Sequence, residues 1–323
     1  MYRLVKYFLK TTFISFYQEK KQFIVQKRVV KNENILSQEE FKFEENEFLT
    51  FIKSCFIENT QTYISTIIDT FNQGCVDSCS HSRYKEIGIN IENIKILCLK
   101  NYSIFIGLYE LNEFNKNMQQ YKIDFVFSPY LLIDINNKKT KNTLYLLITK
   151  NFVAIIIYEK PLIPLYSNIY QLKVEITNNN SQLENSNTDE ELDGIDDDID
   201  LIEDIEDLDD LDDLDELNDN IDENIDDEFG DIEDETNNNK NIQEDMSEMK
   251  NELDTIEFLK NSIKDYYESY SDNFLDYIHI FHNGEISDKF IQTIKDETLL
   301  DISLEKINIL SIINDLALKE IDV

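Results

Sequence analysis

The first half of the chain, up to about residue 176, is patterned as a series of β-strands. Residues 12–18 and 22–31 are rich in β-branched and aromatic side chains, and only three polar residues separate them, which predicts a hairpin. Apolar positions at helical spacing in residues 44–56, with acidic residues in the first turn, predict a helix. Further strands are predicted at residues 34–43, 63–68, 94–99, 104–109 and 123–127, and a second strand cluster at residues 144–149, 152–158 and 162–170.

The carboxyl-terminal part combines helical patterns with one strand pattern. Apolar residues between positions 253 and 270 recur at helical spacing, and residues 277–281 predict a strand. Ser287 is predicted to cap a helix over residues 288–298, and residues 305–319 predict a final amphipathic helix. A single strand would leave a sheet edge uncovered, so this part is predicted to complete the sheet begun in the first half.

Between these parts lies an acidic segment, residues 189–235, in which 28 of 47 residues are Asp or Glu. Its Ile and Leu residues recur at every third position from Ile202 to Leu217, a spacing that drifts around a helix. Like charges at helical spacing repel each other, so the composition predicts disorder. In one interpretation the tract is a solvated spacer. In the other, its Ile and Leu residues bind a partner once the acidic charge is neutralised.

These patterns predict three parts. The first is a structured part at residues 1–177, which holds the first half of the fold and the start of the second. A disordered acidic insertion follows at residues 178–244, and a helix-strand-helix part at residues 245–323 completes the second half. Because the flanks need each other to finish a sheet, the tract is predicted to be an insertion within one fold.

The net charge of −36 comes mostly from the acidic tract. Outside it, 38 acidic residues face 30 Lys and Arg, which leaves about −8. A mildly acidic body argues against nucleic-acid binding, because phosphate contacts need clustered Lys and Arg. The local group of basic residues at positions 20–31 is interpreted as a charged, solvated strand edge.

The apolar pattern also bears on localisation. Lys6 and Lys10 interrupt the apolar residues at the start of the chain, so no signal peptide is predicted. The longest apolar run, residues 152–158, is far shorter than the roughly 20 residues that a bilayer requires. These features favour a cytoplasmic protein.

Cysteine and histidine positions offer one candidate metal site. Cys75, Cys79 and His81 lie in a polar loop and could supply three ligands, but structural zinc sites carry a second ligand pair, which is missing. A loop thiol pair with no metal is the favoured interpretation. His279 and His282 sit three residues apart at a strand and its exit turn, which does not favour a metal pair.

The predicted elements repeat in order: a strand cluster, helix, strand, helix and strand, then a second strand cluster, helix, strand and helix. This order resembles the actin-like, ribonuclease-H-like fold, and is similar to the PilM family of type IV pilus machines and the cytoplasmic domain of GspL in type II secretion. The resemblance implies an α/β fold, or a mixed α+β one, with duplicated sheets, and it covers most of the chain outside the disordered acidic insertion. In this comparison residues 12–31 are the first hairpin, and residues 142–170 are the corresponding strands. Residues 277–290 match the strand-turn-helix on the adenine side, with Asn283 and Gly284 in its turn.

The sequence departs from this family where nucleotide would bind. Actin-like ATPases carry Asp-x-Gly in each strand cluster to hold Mg²⁺ and the phosphates. Here the hairpins read Ser-Phe-Tyr-Gln at residues 15–18 and Ile-Thr-Lys-Asn at residues 148–151. The adenine-side turn has one glycine, Gly284, and no phosphate-binding Gly-x4-Gly-Lys loop occurs. The resemblance therefore implies a pseudo-ATPase, with no catalytic residue, cofactor or metal predicted.

The leading functional hypothesis is a non-catalytic cytoplasmic scaffold of an envelope machine: a type IV pilus, type II secretion or DNA-uptake apparatus. It would bind the cytoplasmic tail of an inner-membrane protein and meet the membrane only through such partners. The alternative is an acidic adaptor or chaperone-like protein whose tract binds basic protein segments. A third hypothesis, an enzyme built around Cys75, Cys79 and His81, predicts bound metal or thiol-dependent activity.

Overall fold

The structure is a computed structural model that describes residues 10–58, 61–136, 142–160, 163–172, 235–270 and 274–321. The acidic tract, residues 189–235, lies outside these ranges except for its last residue, so its predicted disorder stays a prediction. The chain divides into two compact units, Met1–Ile176 with Glu244–Val323, and Thr177–Gln243. The sheets described below lie in the first unit, and the helix Glu235–Ser269 begins in the second.

The first half of the fold contains a large sheet and a small one. Its elements are β1 (Thr11–Glu19), β2 (Gln22–Lys31), β3 (Asn34–Glu44), α1 (Glu45–Glu58), β4 (Gln61–Ile67), β5 (Gln73–Val76), α2 (His81–Glu86), β6 (Ile94–Cys98), β7 (Ser103–Gly107), α3 (Leu108–Asn117), β8 (Phe125–Phe127) and α4 (Pro129–Asn136). Short 3-10 turns lie at Ile91–Asn93 and Gln119–Tyr121.

The second half contains one large sheet and three helices. Its elements are β9 (Thr143–Ile148), β10 (Phe152–Lys160), β11 (Ile163–Gln171), α5 (Glu235–Ser269), β12 (Tyr277–His282), α6 (Asp288–Thr298), β13 (Asp301–Lys306) and α7 (Ile309–Ile321). None of the described helices combines the length and the apolar content needed to cross a bilayer.

The two large sheets have the same topology. The strand orders are β3-β2-β1-β4-β8 and β11-β10-β9-β12-β13, so each sheet follows one scheme. In both, the first three strands pair antiparallel and the last two pair parallel. Each half thus has three antiparallel strands, a helix, a parallel strand, a helix, a parallel strand and a helix. The strand order itself identifies the duplicated, actin-like form of the ribonuclease-H-like fold and confirms the predicted α/β class.

The last helix of each half packs on the sheet of the other half. Helix α4 lies against β9 and β10, and α7 lies against β1, β2 and β4. The core between the sheets therefore contains Tyr130 and Leu132 of α4 beside Ile313 and Leu316 of α7. Burying these side chains contributes about 1.5–3 kcal/mol each, so neither half is complete without the helix of its counterpart.

Two further cores cover the outer faces of the large sheets. Alternate residues of β1 and β2, such as Phe16 and Phe23, pack with Phe48 of α1. On the second sheet, Val153, Ile155 and Ile157 of β10 pack against α5 and α6. Strand β10 is apolar on both faces because each face carries helices, as expected of a central strand in a layered α/β fold.

Local chemistry explains several element boundaries. The β1–β2 turn is closed by two residues, with Lys20 at φ 54°. Pro129 ends strand β8 and opens α4, where its fixed φ suits the first helical position. The side chain of Ser287 accepts a hydrogen bond from the Phe290 N–H at 3.1 Å, which confirms the predicted cap of α6.

The structure also adds elements to the predicted pattern. Strand β5 lies in the stretch predicted as a polar loop, and α3 begins at Leu108, within a predicted strand. Strand β13 was not predicted, so the carboxyl-terminal part has two strands rather than one, and β13 rather than helix occupies residues 305 and 306. Helix α5 begins at Glu235, inside the segment predicted as disordered.

Candidate functional site

The candidate site is a cleft where the β1–β2 and β9–β10 hairpin turns meet. It encloses a cavity of about 340 Å³. Its walls are partly apolar, with half-buried Tyr17, Phe114 and Met118 beside buried Phe152. The polar residues around it are Gln18, Glu19, Lys20, Thr66, Asp69, Thr149, Lys150 and Asn151.

Three contacts tie the two halves together at this cleft. The side-chain amide of Asn151 donates a hydrogen bond to the backbone carbonyl of Gln18. The Lys150 ammonium lies 3.6 Å from the Glu19 carboxylate, in an ion pair whose lysine side is mostly exposed. These contacts join the two hairpin turns directly. The third contact, from Asn283, reaches the end of β1.

The Asn283 side-chain amide donates to the Tyr17 hydroxyl at 2.8 Å. Burial, and next the nearby Glu19 carboxylate, raise the pKa of Tyr17 above its usual range. The phenol therefore stays neutral at physiological pH and serves as a hydrogen-bonding link between the halves.

The backbone of the β9–β10 turn is already hydrogen-bonded. The Thr149 hydroxyl accepts from the N–H groups of Asn151 at 3.2 Å and Phe152 at 2.9 Å. It also donates to the Phe152 carbonyl at 2.8 Å. Phosphate sites use free backbone N–H groups in such turns, and here these two donors are engaged by a side chain.

Asp69 is the acidic residue that lines the cleft in addition to the paired Glu19. It is half-buried just beyond the end of β4. Burial raises the pKa of the Asp69 carboxyl, and its own backbone N–H is the group that stabilises the charged form. Among the described residues no Lys or Arg forms an ion pair with it. The backbone carbonyl of Asp69 accepts a hydrogen bond from the Gln171 side-chain amide at 3.2 Å, which fixes the backbone of this loop.

The predicted adenine-side turn borders a second cavity, of about 390 Å³. Asn283 lines it together with Tyr17, Glu40 and Lys306. A Cβ added to Gly284 would meet no atom within 4 Å, so this position does not require glycine. The Gly284 carbonyl is hydrogen-bonded to His282 Nδ1 at 2.8 Å, and Asn283 is bound to Tyr17. Both predicted residues thus take part in contacts within the protein.

The residues of the weak metal candidate are divided between a strand, a helix and the loop that joins them. Cys75 lies on β5, where burial raises the pKa of its thiol. The Cys79 thiol donates to the Tyr102 carbonyl at 3.7 Å, and a hydrogen bond with Cys98 raises its pKa. His81 is exposed at the start of α2. Within the described ranges, no three or more His, Cys, Asp and Glu side chains are grouped to hold a metal ion.

Sequence reasoning located the two hairpin turns of the site but missed Asp69. An Asp in a polar loop is ordinary, and its sequence neighbours give no sign that it lines a cleft. The one available signal was its position directly after a buried parallel strand, because ligands gather at the carboxyl ends of such strands.

Comparison with solved structures finds proteins of similar fold and low identity. A Bacteroides thetaiotaomicron protein with an actin-like ATPase fold and unknown function is 14% identical over 95% of both chains, with a TM-score of 0.47. A chain of a PilM–PilN type IV pilus biogenesis complex is 8% identical over 93% of this chain and 88% of its own, with a TM-score of 0.45. A Cytophaga hutchinsonii exopolyphosphatase is 10% identical over half of each chain, with a TM-score of 0.25. Among curated proteins none matches the sequence.

Two family models match the sequence, one on each half of the fold. The model described as "Domain of unknown function (DUF8569)" matches residues 8–134. The model described as "Domain of unknown function (DUF8341)" matches residues 144–322. The boundary between the matches coincides with the connection from α4 to β9, where the first half of the duplicated fold ends. The second match spans more than half of the sequence, and the chain therefore belongs to the DUF8341 family.

Proposed function

We propose that this protein is a non-catalytic, actin-like scaffold in the cytoplasm, an assembly component of an envelope machine such as a type IV pilus, type II secretion or DNA-uptake apparatus. It binds the cytoplasmic tail of an inner-membrane partner. The observation that carries the proposal is the set of contacts across the cleft between the two hairpins. Asn151, Lys150 and Asn283 each bind a group of β1 or its turn.

These contacts occupy the position at which an actin-like ATPase would hold phosphate. Phosphoryl transfer requires a metal ion together with backbone or cationic phosphate ligands. Here the Thr149 hydroxyl engages turn amides, and Lys150, one of the two lysines around the cleft, is paired with Glu19. A cleft bridged by its own side chains favours a fixed arrangement of the two halves, which suits a scaffold.

The partner class comes from the resemblance to the PilM family, which is an analogy at the level of fold. The composition is compatible with it. Outside the acidic tract the chain carries a net charge of about −8. Cytoplasmic segments that flank membrane spans are enriched in Lys and Arg, so a mildly acidic surface is complementary to such a tail.

A nucleotide titration tests the non-catalytic part of the proposal. Isothermal titration calorimetry of the purified full chain with Mg²⁺-ATP and Mg²⁺-ADP should give no binding in the micromolar range. Micromolar affinity for either nucleotide would refute the pseudo-ATPase assignment, whatever the partner.

Partner capture tests the scaffold part. The full chain is used as bait on detergent-solubilised inner membranes, and the cytoplasmic tail of each captured protein is synthesised and titrated directly. A tail that binds with 1:1 stoichiometry supports the scaffold. If every captured protein binds only through its periplasmic or membrane part, the proposal fails.

The acidic tract motivates the alternative function, an adaptor or chaperone-like protein for basic partners. Its 28 acidic residues with regularly spaced Ile and Leu are the feature that favours it. Deleting residues 189–235 separates the two functions. Unchanged partner recovery after deletion rules out the adaptor, whereas loss of all partners rules out the scaffold as proposed.

A further inference from the structure

We propose that the cleft between the hairpins binds a Lys or Arg side chain of a peptide partner, with Asp69 as its carboxylate and the surrounding aromatic residues as its walls. This inference rests on the proposed scaffold function and specifies the chemistry by which a partner segment is recognised. The cavity, the charge and the wall composition each support it.

The cavity has the size of a side-chain site. Its volume of about 340 Å³ lies at the lower end of the roughly 300–1,000 Å³ found for small-ligand pockets. That is enough for one long side chain with part of its backbone. The walls supply aromatic faces and a thioether from Tyr17, Phe114 and Met118, all of them half-buried.

The charge on the cleft wall favours a cation. Glu19 and Lys150 pair with each other at 3.6 Å and neutralise one another. Lys20 is exposed on the β1–β2 turn, and it is not among the groups that shift the pKa of Asp69. Asp69 is therefore the carboxylate left to meet a ligand, and a guanidinium or ammonium would restore the solvation that it loses on burial.

Aromatic walls strengthen the same preference. The face of an aromatic ring attracts Lys and Arg by about 0.5–2 kcal/mol, depending on how far the cation is desolvated. An anion would meet the negative charge of Asp69 and turn amides that Thr149 already engages. The chemistry of the cleft thus selects a basic side chain flanked by apolar residues, as in a tail that precedes a membrane span.

The absence of Trp from the sequence gives a direct assay. The probes are a panel of amidated pentapeptides, each with one Trp, two Leu and a central Arg, and a matched panel with citrulline in place of Arg. Citrulline keeps the shape and removes the charge. Because the protein has no Trp, Trp fluorescence comes only from the peptide, and its change during a titration measures binding. We expect the wild-type chain to bind Arg peptides at least tenfold more tightly than their citrulline partners.

Variants assign the preference to Asp69. In Asp69→Asn the Arg and citrulline peptides should bind equally. Glu92→Gln removes an exposed carboxylate in the 3-10 turn before β6 and should keep the full preference. Thermal unfolding of each variant confirms that it is folded. The wild-type preference should also decline as the pH falls through the raised pKa of Asp69, because protonation removes the charge.

The outcomes separate this inference from the proposed function. Equal affinity for the two peptide panels in the wild type, no binding of either panel, or a preference that survives Asp69→Asn would overturn the cationic site. Mg²⁺-ATP binding would instead overturn the scaffold assignment. A membrane-protein tail that binds wild type and Asp69→Asn alike would leave the scaffold standing and refute the site.

Discussion

At the scale of single residues, the raised pKa of Asp69 predicts that its charge opposes stability at neutral pH. Its carboxylate is half-buried without a cationic partner among the described residues, and burial raises its pKa. A carboxyl whose folded-state pKa exceeds its unfolded value destabilises the folded state at pH values above both. Groups held in this way are concentrated at functional sites, where a ligand completes the environment.

Removal of this charge should therefore stabilise the protein. We expect Asp69→Asn to raise the melting temperature at pH 7–8, where the wild-type residue is charged and the amide is not. The difference should shrink as the pH falls through the raised pKa of Asp69, because wild-type Asp69 then gains a proton in the folded state. Thermal unfolding followed by circular dichroism between pH 4 and 8 measures this difference in melting temperature. A lower melting temperature at pH 7 would show that the carboxylate makes a stabilising contact.

Two glycines provide a matched pair for a second prediction. A Cβ on Gly107 would lie 2.1 Å from Glu110 Oε2 and 2.4 Å from Asn72 Nδ2, whereas one on Gly284 would meet nothing within 4 Å. The clash would break the Asn72–Glu110 hydrogen bond of 3.0 Å, which joins the loop before β5 to α3.

We expect Gly107→Ala to lower the free energy of unfolding by about 1–2 kcal/mol, through the lost hydrogen bond and local overpacking. Gly284→Ala should stay within about 0.5 kcal/mol of the wild type. Urea denaturation of both variants makes the comparison. Equal stability of the two would mean that the Asn72 and Glu110 side chains move aside freely.

The candidate site could be predicted only in part from the sequence. The hairpin turns, between residues 18 and 22 and between residues 148 and 152, follow from apolar runs and short polar gaps, which are local signals. Asp69 and Asn283 meet residues far from them in sequence, and such meetings depend on how the two halves pack. Asn283 was placed in the right turn, but its contact with Tyr17, 266 positions away, has no local signal.

At the scale of elements, helix α7 is attached to the first sheet by a polar network. Arg28 of β2, whose side chain is 4% exposed, forms an ion pair with Asp315 and donates to the Gln38 side chain at 3.0 Å. Buried Gln26 accepts from the Asn314 amide at 2.9 Å and donates to Ser311 at 3.0 Å. Because these bonds cross from the second half to the first, they set the position of the exchanged helix.

Breaking this network should be costly. Asp315→Ala leaves the buried Arg28 guanidinium without its carboxylate, and we expect a loss of about 1–3 kcal/mol in the free energy of unfolding. The control is Glu268→Ala, which removes an exposed partner of Lys264 at 3.9 Å. That change should stay within about 0.5 kcal/mol, because exposed ion pairs on helices contribute little. Similar losses for the two variants, measured by urea denaturation, would contradict a structural role for the network.

Elements with local signals were predicted well, and elements that depend on neighbours were not. The hairpin strands, α1 and α6 follow from periodicity and caps, and their bounds agree within a few residues. Strand β5 has only four residues and exists through pairing with β7 and packing beside β11. Strand β13 is a mostly exposed edge strand, so it lacks the apolar run that marks a buried one. Its pairing with β12 decides its conformation.

At the scale of the whole molecule, two segments that lie far apart in the sequence form one sheet. The second sheet takes β9, β10 and β11 from before the acidic tract and β12 and β13 from after it. The family match over residues 144–322 likewise has its ends on opposite sides of the tract. The two strand groups of this sheet thus lie on either side of the tract in the sequence, and the tract as an insertion within one domain stays a prediction.

This architecture makes a prediction about fragments. Residues 1–177 contain the first sheet without α7 and only three strands of the second sheet, and residues 241–323 contain the remaining two strands. Each fragment would expose apolar surfaces that the core between the sheets buries in the full chain. Expressed separately, both should give poorly dispersed amide NMR spectra and low cooperativity on heating. Mixed, they should co-elute as a 1:1 complex with dispersed signals, because pairing of β12 with β9 and docking of α7 restore the missing contacts. A fragment of residues 1–177 that folds cooperatively alone would show that the first half is an autonomous domain, and the tract would then be a linker.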